Sequence, residues 1–191
     1  SCAGQFTEFD VSAGVHVPNH PRGADFTDSV LQRADFRGAR LEGAVFAGAD
    51  LQEALLIDAN LTDATIVDSH AFRADFERAV LDGAEIRSSS LIEGNFRGVS
   101  LLGTLLDGVN FTRADVAGLD FSATRLTGGS SFSDTDLSDT NFTGVDFGVV
   151  DLRGANLETA ELLGVDLSQA HIDENTRWPP GFDLRGTRLG Q

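Results

Sequence analysis

Residues 34–51 read ADFRGARLEGAVFAGADL. Phe36, Leu41, Phe46 and Leu51 fall five residues apart, and each follows a small residue by two positions: Ala34, Ala39, Ala44 and Ala49. Extended in both directions, the period starts near Gly23 and runs to Ile172. From Phe26 to Leu126 the large position recurs 21 times and carries Phe, Leu, Ile or Val at 20 of them, the exception being Ala71. One extra residue within 127–131 shifts the register. A second block then runs from Phe132 to Ile172 with nine apolar residues in nine positions. These positions take 10 of the 14 Phe residues.

The position two before the large residue is Ala in 15 of 30 repeats and otherwise Ser, Thr, Gly or Val, except for Leu119. Asp or Asn often stands between the two, as at Asp25, Asp35, Asn60, Asp136 and Asn156. Gly is frequent two residues after the large one, as at Gly38, Gly43 and Gly144. A period of five matches neither the 3.6 of a helix nor the 2 of a strand. It fits a coil in which each five residues form one side, with a bend between sides. One large and one small side chain then point inward and three outward. Four sides make a coil of about 20 residues, and coils stacked at the strand spacing of ~4.8 Å give a rod of about 36 Å. Stepping by one coil places Asp35, Leu55, Asp75, Asn95, Asp115, Asp136 and Asn156 in one column. The neighbouring column holds Arg40, Asn60, Val80, Ser100, Asp120, Asn141 and Glu161.

The strings AlaAspPhe (34–36 and 74–76), AlaAspLeu (49–51), AlaAsnLeu (59–61 and 155–157) and AlaGluIle (84–86) resemble the A(D/N)LXX signature of the pentapeptide-repeat family, over about 150 of the 191 residues. The resemblance implies an all-β fold, a right-handed quadrilateral β-helix, here of seven to eight coils. Residues 1–22 are read as an N-terminal cap or irregular first coil, 23–173 as the β-helix, and 174–191 as a C-terminal cap. In that cap Trp178 and Phe182 are suited to plug the open end of the apolar ladder, because a solenoid's end coils otherwise expose core and unpaired edges.

The chain has 14 Lys+Arg, all of them Arg, against 30 Asp+Glu, a formal net charge of −16. This excess argues against direct binding of nucleic acid or anionic membranes. The charge is uneven. Residues 1–125 carry 19 acids and 10 Arg, whereas residues 126–176 carry 10 acids and one Arg, Arg153, so both stretches are −9. Such carboxylates keep a stacked β structure soluble and discourage edge association. They also suit a DNA mimic: 36 Å of duplex carries about 21 charges. The candidate acidic residues are Asp35, Asp75, Asp115, Asp136, Asp120, Asp146, Asp151, Glu161 and Asp166. A candidate apolar contact patch comprises Leu55, Ile57 and Phe72, and the sequence His70–Ala71–Phe72 suggests a bulge that swings Phe72 inward.

The quinolone-resistance and mycobacterial fluoroquinolone-resistance members of the family bind DNA gyrase as DNA-like dimeric rods. The resemblance therefore implies a protein partner, DNA gyrase or another type II topoisomerase, and a homodimer. This chain departs from those members in lacking Cys at the small interior position and a long loop between repeats. The alternative expectation is a scaffold module with no topoisomerase contact, envelope-associated if Cys2 is a lipidated start; otherwise the expected location is cytoplasmic. The single Cys excludes an intrachain disulfide framework. The expected interior is filled and the exterior convex, so no catalytic residues, cofactor or metal are expected. His16 and His20, close in sequence, are separated by Pro18, which discourages a helical metal pair.

Overall fold

The computed structural model describes residues 22–183. The chain is an all-β right-handed quadrilateral solenoid. Each five-residue side places its central residue inside, and backbone pairing runs between consecutive coils in parallel. On the first side this pairing is regular enough to form the strands β1 (Thr65–Val67), β2 (Glu85–Arg87), β3 (Leu105–Asp107) and β4 (Arg125–Thr127) in one parallel sheet of order β1-β2-β3-β4. Thr65 pairs with Glu85, Glu85 with Leu105 and Leu105 with Arg125, a step of 20 residues. The other sides hold single bridges at the same step.

The second side runs Val30, Asp50, His70, Ser90, Asn110, Ser131, Asp151, His171 without a break. The third runs Asp35, Leu55, Asp75, Asn95, Asp115, Asp136, Asn156, Arg177, also unbroken. The step becomes 21 residues at Asn110–Ser131 and Asp115–Asp136, where the extra residue of 127–131 is absorbed. It is 21 again at Asn156–Arg177. A second inserted residue therefore lies after Ile172, and the repeat continues one side further than its sequence pattern suggests. Thr176 takes the small interior position and Trp178 the large one, with Phe182 stacked on Trp178 at 5.2 Å.

The interior is a set of ladders. Because the coil spacing matches the thickness of an aromatic ring pair, phenylalanines of one column stack face to face. Phe26 lies 4.9 Å from Phe46, Phe76 4.8 Å from Phe96, and Phe121 4.8 Å from Phe142. Columns on opposite sides meet edge to face across the interior, as Phe26 and Phe36 do at 5.6 Å and 75°. The small position sits where the backbone turns the corner. Its N–H donates to the carbonyl of the preceding large residue, as Ala34 does to Leu31 at 3.0 Å. Where this residue is Ser or Thr its hydroxyl donates to a backbone carbonyl, of its own coil at Thr124 and Thr140 and of the coil below at several others. Thr104 reaches Leu81 at 2.8 Å, Thr135 reaches Phe111 at 2.9 Å and Thr176 reaches Leu152 at 2.9 Å. The second residue after most of the large ones bends in the left-handed region, which explains the glycines. Gly128 (φ +69°) is the tightest case, since an added Cβ would meet the Gly108 backbone N at 2.7 Å.

Two ladders are interrupted. On the fourth side, bridges link Arg40, Asn60, Val80 and Ser100, then Asp120, Asn141 and Glu161, with none between Ser100 and Asp120. On the first side the sheet ends at Arg125 and pairing resumes between Asp146 and Asp166. Leu119 accounts for the first gap. It occupies the small interior position, is 3% exposed, and its bulk holds the coil above Ser100 away from the coil below.

Candidate functional site

The Asp or Asn before each large residue has a local task. Its Oδ1 accepts the backbone N–H two residues on, closing the bend as an Asx turn. Asp35 accepts from Arg37 at 3.1 Å, Asp75 from Glu77 at 3.0 Å, Asp120 from Ser122 at 2.9 Å and Asp136 from Ser138 at 3.1 Å. Asp146, Asp151 and Asp166 do the same toward Gly148, Arg153 and Ser168. Seven of the nine candidate acids therefore serve the fold, and the second oxygens of Asp35 and Asp151 are taken by Arg37 and Arg153. Four of these acids, Asp120, Asp136, Asp151 and Asp166, have pKa values lowered by their surroundings. Hydrogen bonds from the Ser122 hydroxyl and backbone N–H lower the pKa of Asp120. At Asp136, burial pushes upward but is outweighed by bonds from Ser138 and Asn156. Arg153 lowers Asp151, and the N–H and hydroxyl of Ser168 lower Asp166.

These nine acids do not form one face. Asp35, Asp75, Asp115 and Asp136 share the third side, Asp120 and Glu161 the fourth, Asp146 and Asp166 the first, and Asp151 the second. Arginine neutralises some of them. Arg37 grips Asp35 at 2.6 Å, Arg97 reaches Asp115 at 2.7 Å and Arg153 reaches Asp151 at 2.6 Å. Between residues 126 and 176 the only other ion pair among the described residues joins Arg177 to Glu158 at 3.5 Å. Asp134, Asp136, Asp139, Asp146, Glu161, Asp166, Asp173 and Glu174 have no arginine within ion-pair distance among the described residues. By contrast, Arg33, Arg73, Arg78, Arg97 and Arg113 pair with acids of the adjoining coil in the earlier part of the rod.

The apolar candidates divide between sides. Leu55 and Ile57 lie half-buried on the third side, and Phe72 lies on the second. The inward swing expected of Phe72 does not occur. Ala71 keeps the interior position, fully buried, and the His70 bridges to Asp50 and Ser90 are intact. Ala71 belongs to the same continuous buried cluster as Phe46, Ile66 and Phe76. Phe72 stays outside, with the Arg73 guanidinium 5.1 Å over its ring.

The most exposed large apolar residues are others: Leu163 at 77% and Leu102 at 65%. Both are on the fourth side, one residue past the core position. Leu102 edges a cavity of about 280 Å³ where the ladder is open between Ser100 and Asp120, floored by Val99 and Leu101 and closed by Ala123. Leu119, an outlier in an otherwise small column, was the sequence signal for this opening. Among the described residues no His, Cys, Asp and Glu converge to hold a metal ion, and no helix is long and apolar enough to cross a membrane. Cys2, His16 and His20 lie outside the described residues.

The model of pentapeptide repeats matches residues 24–63, 59–98, 89–128 and 130–169, in eight copies. No curated protein matches the chain. Among solved structures it is similar to HetL, a pentapeptide repeat protein involved in heterocyst differentiation regulation from the cyanobacterium Nostoc sp., at 24% identity over 80% of this chain and 78% of that one, with a TM-score of 0.36. It is also similar to full-length QnrB1, a plasmid-mediated fluoroquinolone resistance protein, at 20% identity over 92% and 91%, with a TM-score of 0.44. A pentapeptide repeat protein from the Arabidopsis thaliana thylakoid lumen matches at 26% over 68% and 66%, with a TM-score of 0.25. With the repeat model covering most of a coil-by-coil ladder of this kind, the chain belongs to the pentapeptide-repeat family.

Proposed function

We propose that the chain is a non-catalytic protein-binding rod whose acid-rich end presents a DNA-like surface to DNA gyrase or another type II topoisomerase, modulating or protecting it. The observation that carries this reading is the uncompensated charge of residues 126–176. Fifty-one residues with a net charge of −9 occupy two and a half coils, about 12 Å of rod at the strand spacing. That is one charge per roughly 1.4 Å, beside about 1.7 Å for duplex DNA. The charges are spread over four sides, as they are spread around a duplex. The first 125 residues hold the same net charge over a far longer stretch, and nine of the 17 acids described there are ion-paired.

The test is a DNA gyrase supercoiling titration, with and without a quinolone. Asparagine keeps the Oδ1 that closes each turn, so Asp136→Asn, Asp146→Asn and Asp166→Asn together remove charge without removing the bends. An equal loss at Asp25, Asp50 and Asp75 is the control. Inhibition or drug protection that is lost only with the first set supports the reading. Indifference of gyrase to a large molar excess of the unaltered protein overturns it.

A further inference from the structure

The fourth side of the rod differs from the other three above Ala79. Its five-residue segments 79–83, 99–103, 119–123, 140–144 and 160–164 contain three acids, Asp82, Asp120 and Glu161, and no arginine. They also carry the two most exposed leucines among the described residues, Leu102 and Leu163. Between them the backbone ladder is open, and a cavity of about 280 Å³ admits a side chain against Val99 and Leu101.

From this geometry we infer that the fourth side is a docking surface for an extended protein segment bearing basic and aliphatic residues. The spacing fits an extended chain. Ser100, Asp120, Asn141 and Glu161 mark three coil steps, so Leu102 and Leu163 are about 14 Å apart along the rod. A strand rising ~3.3 Å per residue covers that in four residues, and its first and fifth side chains point the same way. Those two contact the leucines, with one aliphatic group entering the opening beside Leu102. Asp120 and Glu161, both exposed, stand beside the path of the segment with no arginine on their own side to compete for them. Asp82 is not available for this, since it already accepts from the Ser100 hydroxyl at 2.5 Å and the Leu102 N–H at 3.0 Å. The inference is independent of the topoisomerase reading, which concerns charge on all sides of the last coils.

The experiment is selection of random dodecapeptides displayed on phage against the purified protein, followed by fluorescence anisotropy with the enriched peptides. Leu102→Gln and Leu163→Gln alter exposed side chains only, and Asp120→Asn keeps the Ser122 turn closed. The expected result is enrichment of peptides with aliphatic residues four apart and Arg or Lys between them, whose affinity falls about tenfold or more in the Leu102→Gln/Asp120→Asn protein, a loss of about 1.4 kcal/mol. A charge-matched Asp75→Asn protein is expected to bind them unchanged. Failure to enrich any peptide overturns the inference, as does enrichment of acidic or purely aromatic ones, or equal binding by the altered side. A self-association that saturates at micromolar protein and is abolished by Leu102→Gln would assign the surface to a second copy of the chain and overturn it as well.

Discussion

Between Ala24 and Ala84 the small interior position is alanine at 11 of 13 repeats; between Ser89 and Ala170 it is alanine at 4 of 17. The two regions share one backbone path yet solve the corner differently. In the first, a methyl group fills the space left by the turning chain, and every ladder is continuous. In the second, Thr and Ser hydroxyls bond core carbonyls, valines fill the corners, and Leu119 overfills one. Both ladder interruptions fall in this second region. Ion-paired acids occur in both regions, but among the described acids beyond Asp115 only Asp151 and Glu158 pair with an arginine. The solenoid tolerates substitution at its small position, but its regularity depends on that position staying small.

The comparison can be broken by moving leucine to the first region. Ala59 stands three coils from Leu119 in Val99's column and is fully buried. Ala59→Leu is expected to cost about 1–3 kcal/mol by overpacking and to open the pairing of Arg40 with Asn60. Urea unfolding measures the first effect and hydrogen exchange at the Asn60 amide the second. The reverse change sharpens it. Leu119→Ala should close the gap between Ser100 and Asp120, so that regained backbone bonds offset the lost burial. The net destabilisation is then expected below ~2 kcal/mol, the low edge for a buried leucine, with slower exchange at the Leu101 and Asp120 amides. Equal or faster exchange would show that something other than Leu119 holds the coils apart.

A smaller effect distinguishes hydroxyl from methyl corners. Thr104→Val removes the bond to the Leu81 carbonyl while keeping the shape, and should cost about 1 kcal/mol. Ala84→Ser, in the first region, adds a hydroxyl with no such benefit assured by the sequence, and serves as the matched measurement. The smallest difference is in acid. Asp120, Asp136, Asp151, Asp166 and Asp173 have lowered pKa values in the folded chain, as do Glu53 and Asp58. A lowered folded value stabilises above the unfolded value, near 3.9 for Asp, and that contribution is lost as pH falls through the folded value. Stability should therefore drop below about pH 4. High salt should erase the share of Glu53 and Asp58, whose cause is an exposed arginine, and leave most of the share held by turn hydrogen bonds.

The coil was legible because its period is incompatible with every other regular structure, and stepping by one coil reproduces the bridge column from Asp35 to Asn156 and, save for the gap between Ser100 and Asp120, that from Arg40 to Glu161. Two points were not legible. The extra residue after Ile172 hides the continuation to Trp178, because Pro179 and Pro180 mask the pattern just where it resumes. The sequence also shows an acid column without showing that most of its members close turns, since Asx bonding depends on the bend that the fold imposes. For Phe72, an alanine at a core position suggested distortion, but Ala71 keeps its place between Leu51 and Leu91 with the ladder intact. Leu102 and Leu163 are indistinguishable in sequence from other outward apolar residues such as Val45 and Leu105; only the open ladder and their exposure set them apart.

The Oδ1 that closes each bend belongs equally to aspartate and asparagine, as Asn60, Asn95, Asn110, Asn141 and Asn156 demonstrate in the same role. Codons for the two residues differ by a single base. Lineages can therefore redraw the electrostatic profile of such a rod one unit at a time, at any coil, through intermediates that all fold. Partner choice can drift or be selected without passing through an unstable ancestor, and the acid-rich end of this chain is one setting of that dial.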